Sequence, residues 1–108
     1  MRRGAIVVFR ESGSPASKSR PCIVVQRDAT LPGASKITAV PLTSELSGVG
    51  DQRPVLVPTH ENGLRRISEA QVDWIFSFET FHLGPQVGEV EPEVMQQIDA
   101  ALRRWLDL

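Results

Sequence analysis

Apolar residues first gather at Gly4-Ala-Ile-Val-Val-Phe9, a β-branched run that predicts a strand. Residues 11–19 follow with four serines, a glycine and a proline, a composition that cannot pack and predicts an exposed loop. Pro21-Cys-Ile-Val-Val-Gln26 predicts a second strand, apolar on both faces and buried on both. Residues 28–35 carry Pro32-Gly33 and predict a turn, and Lys36 to Leu42 predicts a third strand closing on Pro41. A polar loop with three glycines between positions 48 and 63 is interrupted by Arg53-Pro-Val-Leu-Val-Pro58. Prolines at both ends of so short an apolar stretch predict an edge strand.

The clearest alternation lies at 69–78. Ala70, Val72, Trp74, Phe76 and Phe78 share one face, and Glu69, Gln71, Asp73 and Ser77 share the other, which predicts one continuous strand. Pro92 between Glu91 and Glu93 then suits the first position of a helix, where acidic side chains meet the positive end of the dipole. Val94, Ile98, Ala101, Leu102 and Trp105 continue at three- and four-residue spacing, a stripe expected to pack on a sheet. Arg103 and Arg104 occupy the last turn. Five or six short strands and one C-terminal helix predict a mainly β fold with α. The expected form is a small twisted antiparallel sheet, closing part-way into a barrel, in a single domain over residues 1–108.

Composition narrows the function. The 108 residues are 41% apolar and 23% charged, as in an ordinary globular chain. No apolar run approaches the ~18 residues of a membrane span, and Ala5 to Phe9 is too short for the core of an export signal. A cytoplasmic protein with no membrane partner is expected. Cys22 is the one cysteine, and with only His60 and His82 beside it there are too few ligands for a Cys/His metal cage. No glycine-rich phosphate loop is present, and no cofactor is expected. The net charge of −1 conceals an asymmetry. Residues 1–66 hold ten Lys/Arg against five Asp/Glu, and residues 67–108 hold two against eight. The first two-thirds is therefore a candidate basic surface for phosphates.

Serines are plentiful, but none sits in a strained glycine-flanked elbow, so Ser-His-Asp catalysis is not indicated. His60 and His82 lie at turns and are expected to be solvated. Cys22, between Pro21 and Ile23, is expected to be a small buried hydrophobe rather than a nucleophile. Two stretches remain, Lys18-Ser-Arg20-Pro-Cys-Ile-Val-Val25 and Ala39-Val-Pro-Leu-Thr43-Ser44. Each puts polar side chains where a loop meets an apolar strand, with the backbone rigid and the tips in solvent. Arg20 offers fixed donors that match two phosphate oxygens, and Thr43 offers a hydroxyl for another. On these residues alone, a structural arginine and a turn threonine stand equally open.

These stretches resemble the MazF/PemK family of toxin endoribonucleases from type II toxin–antitoxin modules. Arg3-Gly-Ala-Ile-Val7 resembles the family's opening Arg-Gly-Asp/Glu-Ile-Val, Arg20-Pro-Cys-Ile-Val24 its Arg-Pro-x-x-Val, and Pro41-Leu-Thr43 its Pro-x-Thr. Gly63-Leu64 with Ser68, then Val72-Asp73-x-Ile75, resemble its Gly-Leu-x-x-x-Ser and Asp-Gln-Ile-Arg. Ala101-Leu102 with Leu106-x-Leu108 resembles its helix end. The pieces run in order over nearly the whole chain.

The resemblance implies a twisted five- to seven-stranded sheet, a partly closed SH3-like barrel, and a homodimer. It also implies sequence-specific, metal-independent cleavage of single-stranded RNA, which inhibits growth until a cognate antitoxin neutralises it. The family's catalytic Arg falls on Arg20 and its catalytic Thr on Thr43. Attack by a ribose 2′-hydroxyl leaves a 2′,3′-cyclic phosphate and a 5′-hydroxyl, so charge must be stabilised at a phosphorane. A guanidinium suits that task, although it keeps its protons at neutral pH and is a poor general acid. Beside the pair, Ser44 is a supporting hydroxyl and Asp73 a candidate base. Lys18, Ser19 and Arg53 are candidate RNA contacts. Three departures stand out: Ala5 replaces the family's acidic residue, and Trp74 and Phe76 replace its Gln and Arg. Exchanging a cation for aromatics points to an altered RNA groove or a more apolar dimer or antitoxin surface. Gyrase poisons of the CcdB type share the fold and supply a second reading. Val25-Gln-Arg-Asp28, Leu31-Pro-Gly33 and Val40-Pro-Leu42 resemble them, and Trp105 is similar to their gyrase-contacting C-terminal tryptophan. Arg20-Pro21 and Thr43 fall outside that pattern and favour the nuclease.

Overall fold

The computed structural model describes residues 1–11 and 19–108. Among these lie β1 (Ala5–Arg10), β2 (Ser19–Val24), β3 (Lys36–Thr43), β4 (Val55–Leu56), β5 (Ser68–Ala70), β6 (Phe76–Glu79), β7 (Leu83–Glu89) and α1 (Pro92–Leu106). All pairings are antiparallel. The strand order is β4-β5-β3-β2-β1-β7, with β6 also paired to β3. The sheet curls into a half-barrel because one edge of β3 serves two partners. Lys36 to Ala39 pair with β6, and Leu42 and Thr43 pair with β5.

The central parts of β1 to β3 are mostly apolar because both faces of this part of the sheet are covered. Ile6, Ile23, Val40 and Leu42 meet Ile98, Ala101 and Leu102 of α1 on one side. Val7, Cys22, Val24, Ile37, Ala39 and Phe78 pack together on the other. The predicted edge strand is β4, which ends the sheet as its prolines imply. Helix α1 begins at Pro92, as expected. It is tied to the strand layer by Arg3, whose Nη2 donates to Asp99 Oδ1 and whose Nε donates to the Val25 carbonyl, both at 2.7 Å.

Three expectations need correction. Residues 69–78 are not one strand. After β5 the Gln71 N–H donates to the Pro41 carbonyl and the Trp74 N–H donates back to Gln71, each at 2.9 Å, so the chain turns through a 3₁₀ helix before β6. Ala70, Val72 and Phe78 are buried, but the turn leaves Trp74 66% exposed and Glu69 only 2% exposed. Strand β7 was not expected, because Gly84, Pro85 and Gly88 break its pattern; it follows β1 with two register shifts. Trp105 does not pack with its stripe. The helix is exposed from Arg103 onward, and Trp105 is 49% exposed. Among the described residues no helix is long and apolar enough to cross a membrane.

Candidate active site

Arg20 and Thr43 occupy neighbouring strand ends. Cys22 of β2 stands opposite Pro41 of β3, and carrying that register two residues outward sets Arg20 across from Thr43 on the same face. Both side chains open on a groove of about 790 Å³. Its walls are Val8 from β1, Ser19 to Pro21 from β2, Leu42 to Glu45 from the end of β3, Gly63 to Arg66 with Ser68 from the approach to β5, and Val87 from β7. Arg20, Arg65 and Arg66 thus share one groove with one carboxylate, Glu45. The Glu45 N–H donates to Thr43 Oγ1 at 3.1 Å, which fixes the oxygen and leaves the hydroxyl proton for an outside acceptor.

Of the other expected residues, Ser19 and Ser44 line this groove, and Lys18 lies outside the described residues. Arg53 and Asp73 are not on its walls. Arg53 Nε and Nη2 donate to the two Asp73 oxygens at 2.9 Å each, and Nη1 lies 3.6 Å from Glu69 Oε1. Glu69 stands opposite Thr43 in the β3–β5 ladder. Its buried carboxylate accepts the Ser47 N–H at 2.9 Å, the Ser47 hydroxyl at 2.8 Å and the Gly48 N–H at 3.0 Å. This network pins the loop that follows Thr43. It explains how a glutamate on the expected polar face is buried, and why Arg53 and Asp73 are structural rather than part of the groove.

The Arg53 hydrogen bond holds the Asp73 carboxyl below the usual range, against a smaller opposing effect of burial. For Glu69, burial pushes upward, but the Ser47 and Gly48 donors and Arg53 outweigh it and the result is again lowered. A depressed folded pKa contributes stability above the ordinary carboxylate value of about 4, and that stability is lost as pH falls through the folded value. The urea midpoint is therefore expected to drop below about pH 4, with Asp73→Asn showing a weaker drop than wild type. Identical pH profiles for the two proteins would remove the ion pair from this account.

His60 is exposed, as expected. His82 is only half-exposed: its Nδ1 lies 2.8 Å from the Arg10 carbonyl oxygen, and its ring centroid is 5.3 Å from that of Phe9. Cys22 is fully buried, and burial pushes its thiol up to about 12. It should resist iodoacetamide at about pH 8 in the native protein and react once in urea, since only the thiolate attacks. Rapid native labelling would show instead that β2 opens readily. Arg65, Arg66 and Glu45 were missed. No periodicity marks them, and the available signal was their place beside the Gly63-Leu64 and Pro-x-Thr pieces. Among the described residues no three His, Cys, Asp or Glu side chains converge as a metal site.

Residues 2–106 match the family model described as PemK-like, MazF-like toxin of type II toxin-antitoxin system. Endoribonuclease MazF9 of Mycobacterium tuberculosis is 36% identical over 116 aligned positions, covering 100% of this chain and 98% of that protein. Endoribonuclease MazF6 of the same species is 33% identical, covering 90% of this chain and 86% of the relative. Among solved structures, Mycobacterium tuberculosis toxin MazF-mt6 superposes with a TM-score of 0.81 at 21% identity, over 96% of this chain and 97% of that one. A mycobacterial endoribonuclease in complex with its cognate antitoxin gives 0.76 at 23% identity, over 100% of this chain and 94% of that one. The structural likenesses carry the curled sheet, while the family model and the curated relatives favour the nuclease toxins over the gyrase poisons. With a family match over almost its full length and relatives that are endoribonucleases, the chain belongs to the PemK-like, MazF-like toxins of type II toxin–antitoxin systems.

Proposed function

We propose that the chain cuts single-stranded RNA in the groove at the ends of β2 and β3, with Arg20 and Thr43 as its catalytic residues. The supporting observation is that both strand ends open on one groove that also holds Arg65 and Arg66. A ribose 2′-oxygen bonds to the adjacent phosphorus, the bond to the 5′-oxygen breaks, and the ends are a 2′,3′-cyclic phosphate and a 5′-hydroxyl. Arg20 donates to the two non-bridging oxygens as their charge grows, and the Thr43 hydroxyl holds the phosphate in place. Glu45 takes over from Asp73 as the acceptor of the 2′-hydroxyl proton, and water protonates the leaving 5′-oxygen. Arg65 and Arg66, rather than Arg53, neutralise flanking phosphates. The reaction needs no metal. The test is a long RNA incubated with purified protein in EDTA, followed by mapping of the cut ends. Defined cuts with cyclic phosphate ends are expected. Cleavage that disappears in EDTA and returns with Mg²⁺ would overturn the mechanism, and gyrase inhibition without RNA cleavage would favour the poison.

The same reading makes the protein a cytoplasmic homodimer that binds a cognate antitoxin. Val55 on the open edge strand β4 and Trp105 on α1 are both exposed and lie on clefts that share Arg104, a continuous surface suited to a second copy. Light scattering at tens of micromolar should return a dimer mass; a monomer would refute this. The antitoxin segment is acidic and lies over the cationic groove, so its affinity should fall with salt. Salt-insensitive binding would point to an apolar contact.

A further inference from the structure

Next to the cationic groove lies a second cleft with different chemistry. It holds about 420 Å³ and is walled by Phe9, Pro21, Pro41, Trp74 and Phe76. Its polar groups are the Gln71 amide, the Glu11 carboxylate and Arg20. Arg20 and Pro21 line both the cleft and the groove, so the two meet at the proposed catalytic guanidinium. The aromatic wall is braced from behind. Phe9 meets Phe76 edge-on at 5.4 Å, and Phe76 lies 5.4 Å from Phe78, between ring centroids. Trp74 ends the 3₁₀ turn whose middle residue, Asp73, is clamped by Arg53. A large indole is therefore held in solvent on a fixed piece of backbone.

We propose that this cleft is a base-binding subsite. It takes one unpaired nucleobase of the RNA, from the nucleotide whose phosphate rests on Arg20, stacked on Trp74 with its edge met by Gln71 and Glu11. This rests on the nuclease reading of Arg20. The occupant follows from the lining. A phosphate would meet a carboxylate and only the shared arginine, so the RNA backbone belongs in the neighbouring groove with Arg65 and Arg66. A base presents an apolar face to the indole and a polar edge to an amide, and aromatic stacking is the usual grip on single-stranded bases. Glu11 accepts only, which favours an edge that carries an N–H donor. Because Arg20 borders both spaces, base and phosphate need be no more than one nucleotide apart. The two aromatics that depart from the family pattern thus place stacking surface beside the cut.

The chain has two tryptophans, so Trp105→Phe leaves Trp74 as the sole indole reporter. The probe is a single-stranded RNA of mixed sequence, 2′-O-methylated throughout, which lacks the nucleophile and is bound without being cut. Titration should quench Trp74 fluorescence. In the parent chain, Trp74→Ala should raise the half-saturating RNA concentration about ten-fold or more, the loss falling on binding rather than on the rate at saturation. Gln71→Ala should relax base preference at one position beside the cut. RNA binding that leaves Trp74 unquenched, or a Trp74→Ala protein that binds as wild type, refutes the subsite. A Trp74→Ala protein that becomes a monomer also refutes it, by making Trp74 a contact between copies. Quenching by RNA in a wild-type chain that cuts none would retain the subsite and discard the nuclease reading.

Discussion

Arg20→Ala should cut RNA about 10²–10³-fold more slowly than wild type in single turnover, with a much smaller loss of RNA binding. The asymmetry follows from where charge develops. The phosphate carries one negative charge in the ground state and more in the phosphorane, so a guanidinium spanning two oxygens gains strength as the reaction proceeds. Arg65 and Arg66 contact charges that do not change, and their removal should weaken binding and its salt dependence instead. Arg20→Lys should recover only part of the rate, because an ammonium cannot span both oxygens. Thr43→Ala removes one neutral hydrogen bond worth roughly 1 kcal/mol and should cost less than Arg20→Ala. Arg20 is exposed and the buried part of β2 begins at Cys22, so the variants should keep the wild-type circular dichroism spectrum. A folded Arg20→Ala protein that cuts at the wild-type rate would make the guanidinium structural and remove it from the site.

Much of this arrangement is legible in the sequence, and the failures have common physical causes. The apolar stretches at 4–9, 21–26 and 36–42 announce three strands, the second of them buried on both faces, and the structure covers both faces of β1 to β3. Proline at position 92 and the Ile98, Ala101 and Leu102 spacing announce the helix. Alternation misleads at 69–78, because pattern counting assumes the backbone continues straight. Here the Pro41 carbonyl draws the Gln71 N–H inward and bends the chain, so Val72 packs with the helix-side cluster, Phe78 with the opposite one, and Trp74 stands in solvent. Formal charge misleads at Arg53 and Asp73. Twenty residues separate them, and only the fold brings them to 2.9 Å, turning a candidate RNA contact and a candidate base into one ion pair. Arg20 and Thr43, which line one groove, each lie in a short motif that the sequence displays. Arg65 and Arg66 share their groove only through the turn at 59–63, a tertiary effect with no local signature.

That turn supports the second large effect. Gly88→Ala should lower stability by about 3 kcal/mol, the upper end of overpacking costs. For a chain of 108 residues this is a fall in melting temperature of roughly 10–20 °C. The cause is contact with backbone, which cannot swing aside. A Cβ at Gly88 would lie 2.3 Å from the Asn62 carbonyl oxygen and 2.5 Å from that of Glu61. Gly63 faces the same seam from the other side, where its Cβ would lie 2.1 Å from the Val87 carbonyl oxygen, and its φ of +66° adds strain for any other residue. Asn62 makes the turn too stiff to yield. Its buried Oδ1 accepts the Thr59 and Leu64 N–H groups at 2.9 and 3.0 Å, and its Nδ2 donates to the Val57 carbonyl at 2.9 Å. Glu89 then ties β7 to the turn through its N–H, 2.8 Å from the Glu61 oxygen. One separation of turn from strand would relieve both substitutions, so Gly63→Ala with Gly88→Ala should cost clearly less than the two single costs added together. The same separation shifts Arg65 and Arg66, which follow directly in the chain. Gly88→Ala should therefore weaken RNA binding at temperatures where the protein is still folded, although the wall residue is its neighbour Val87 and not Gly88 itself. Melting curves and RNA titrations on the single and double variants test both claims. Wild-type stability in Gly88→Ala, or strict additivity in the double variant, would show that turn and β7 are not packed as one unit.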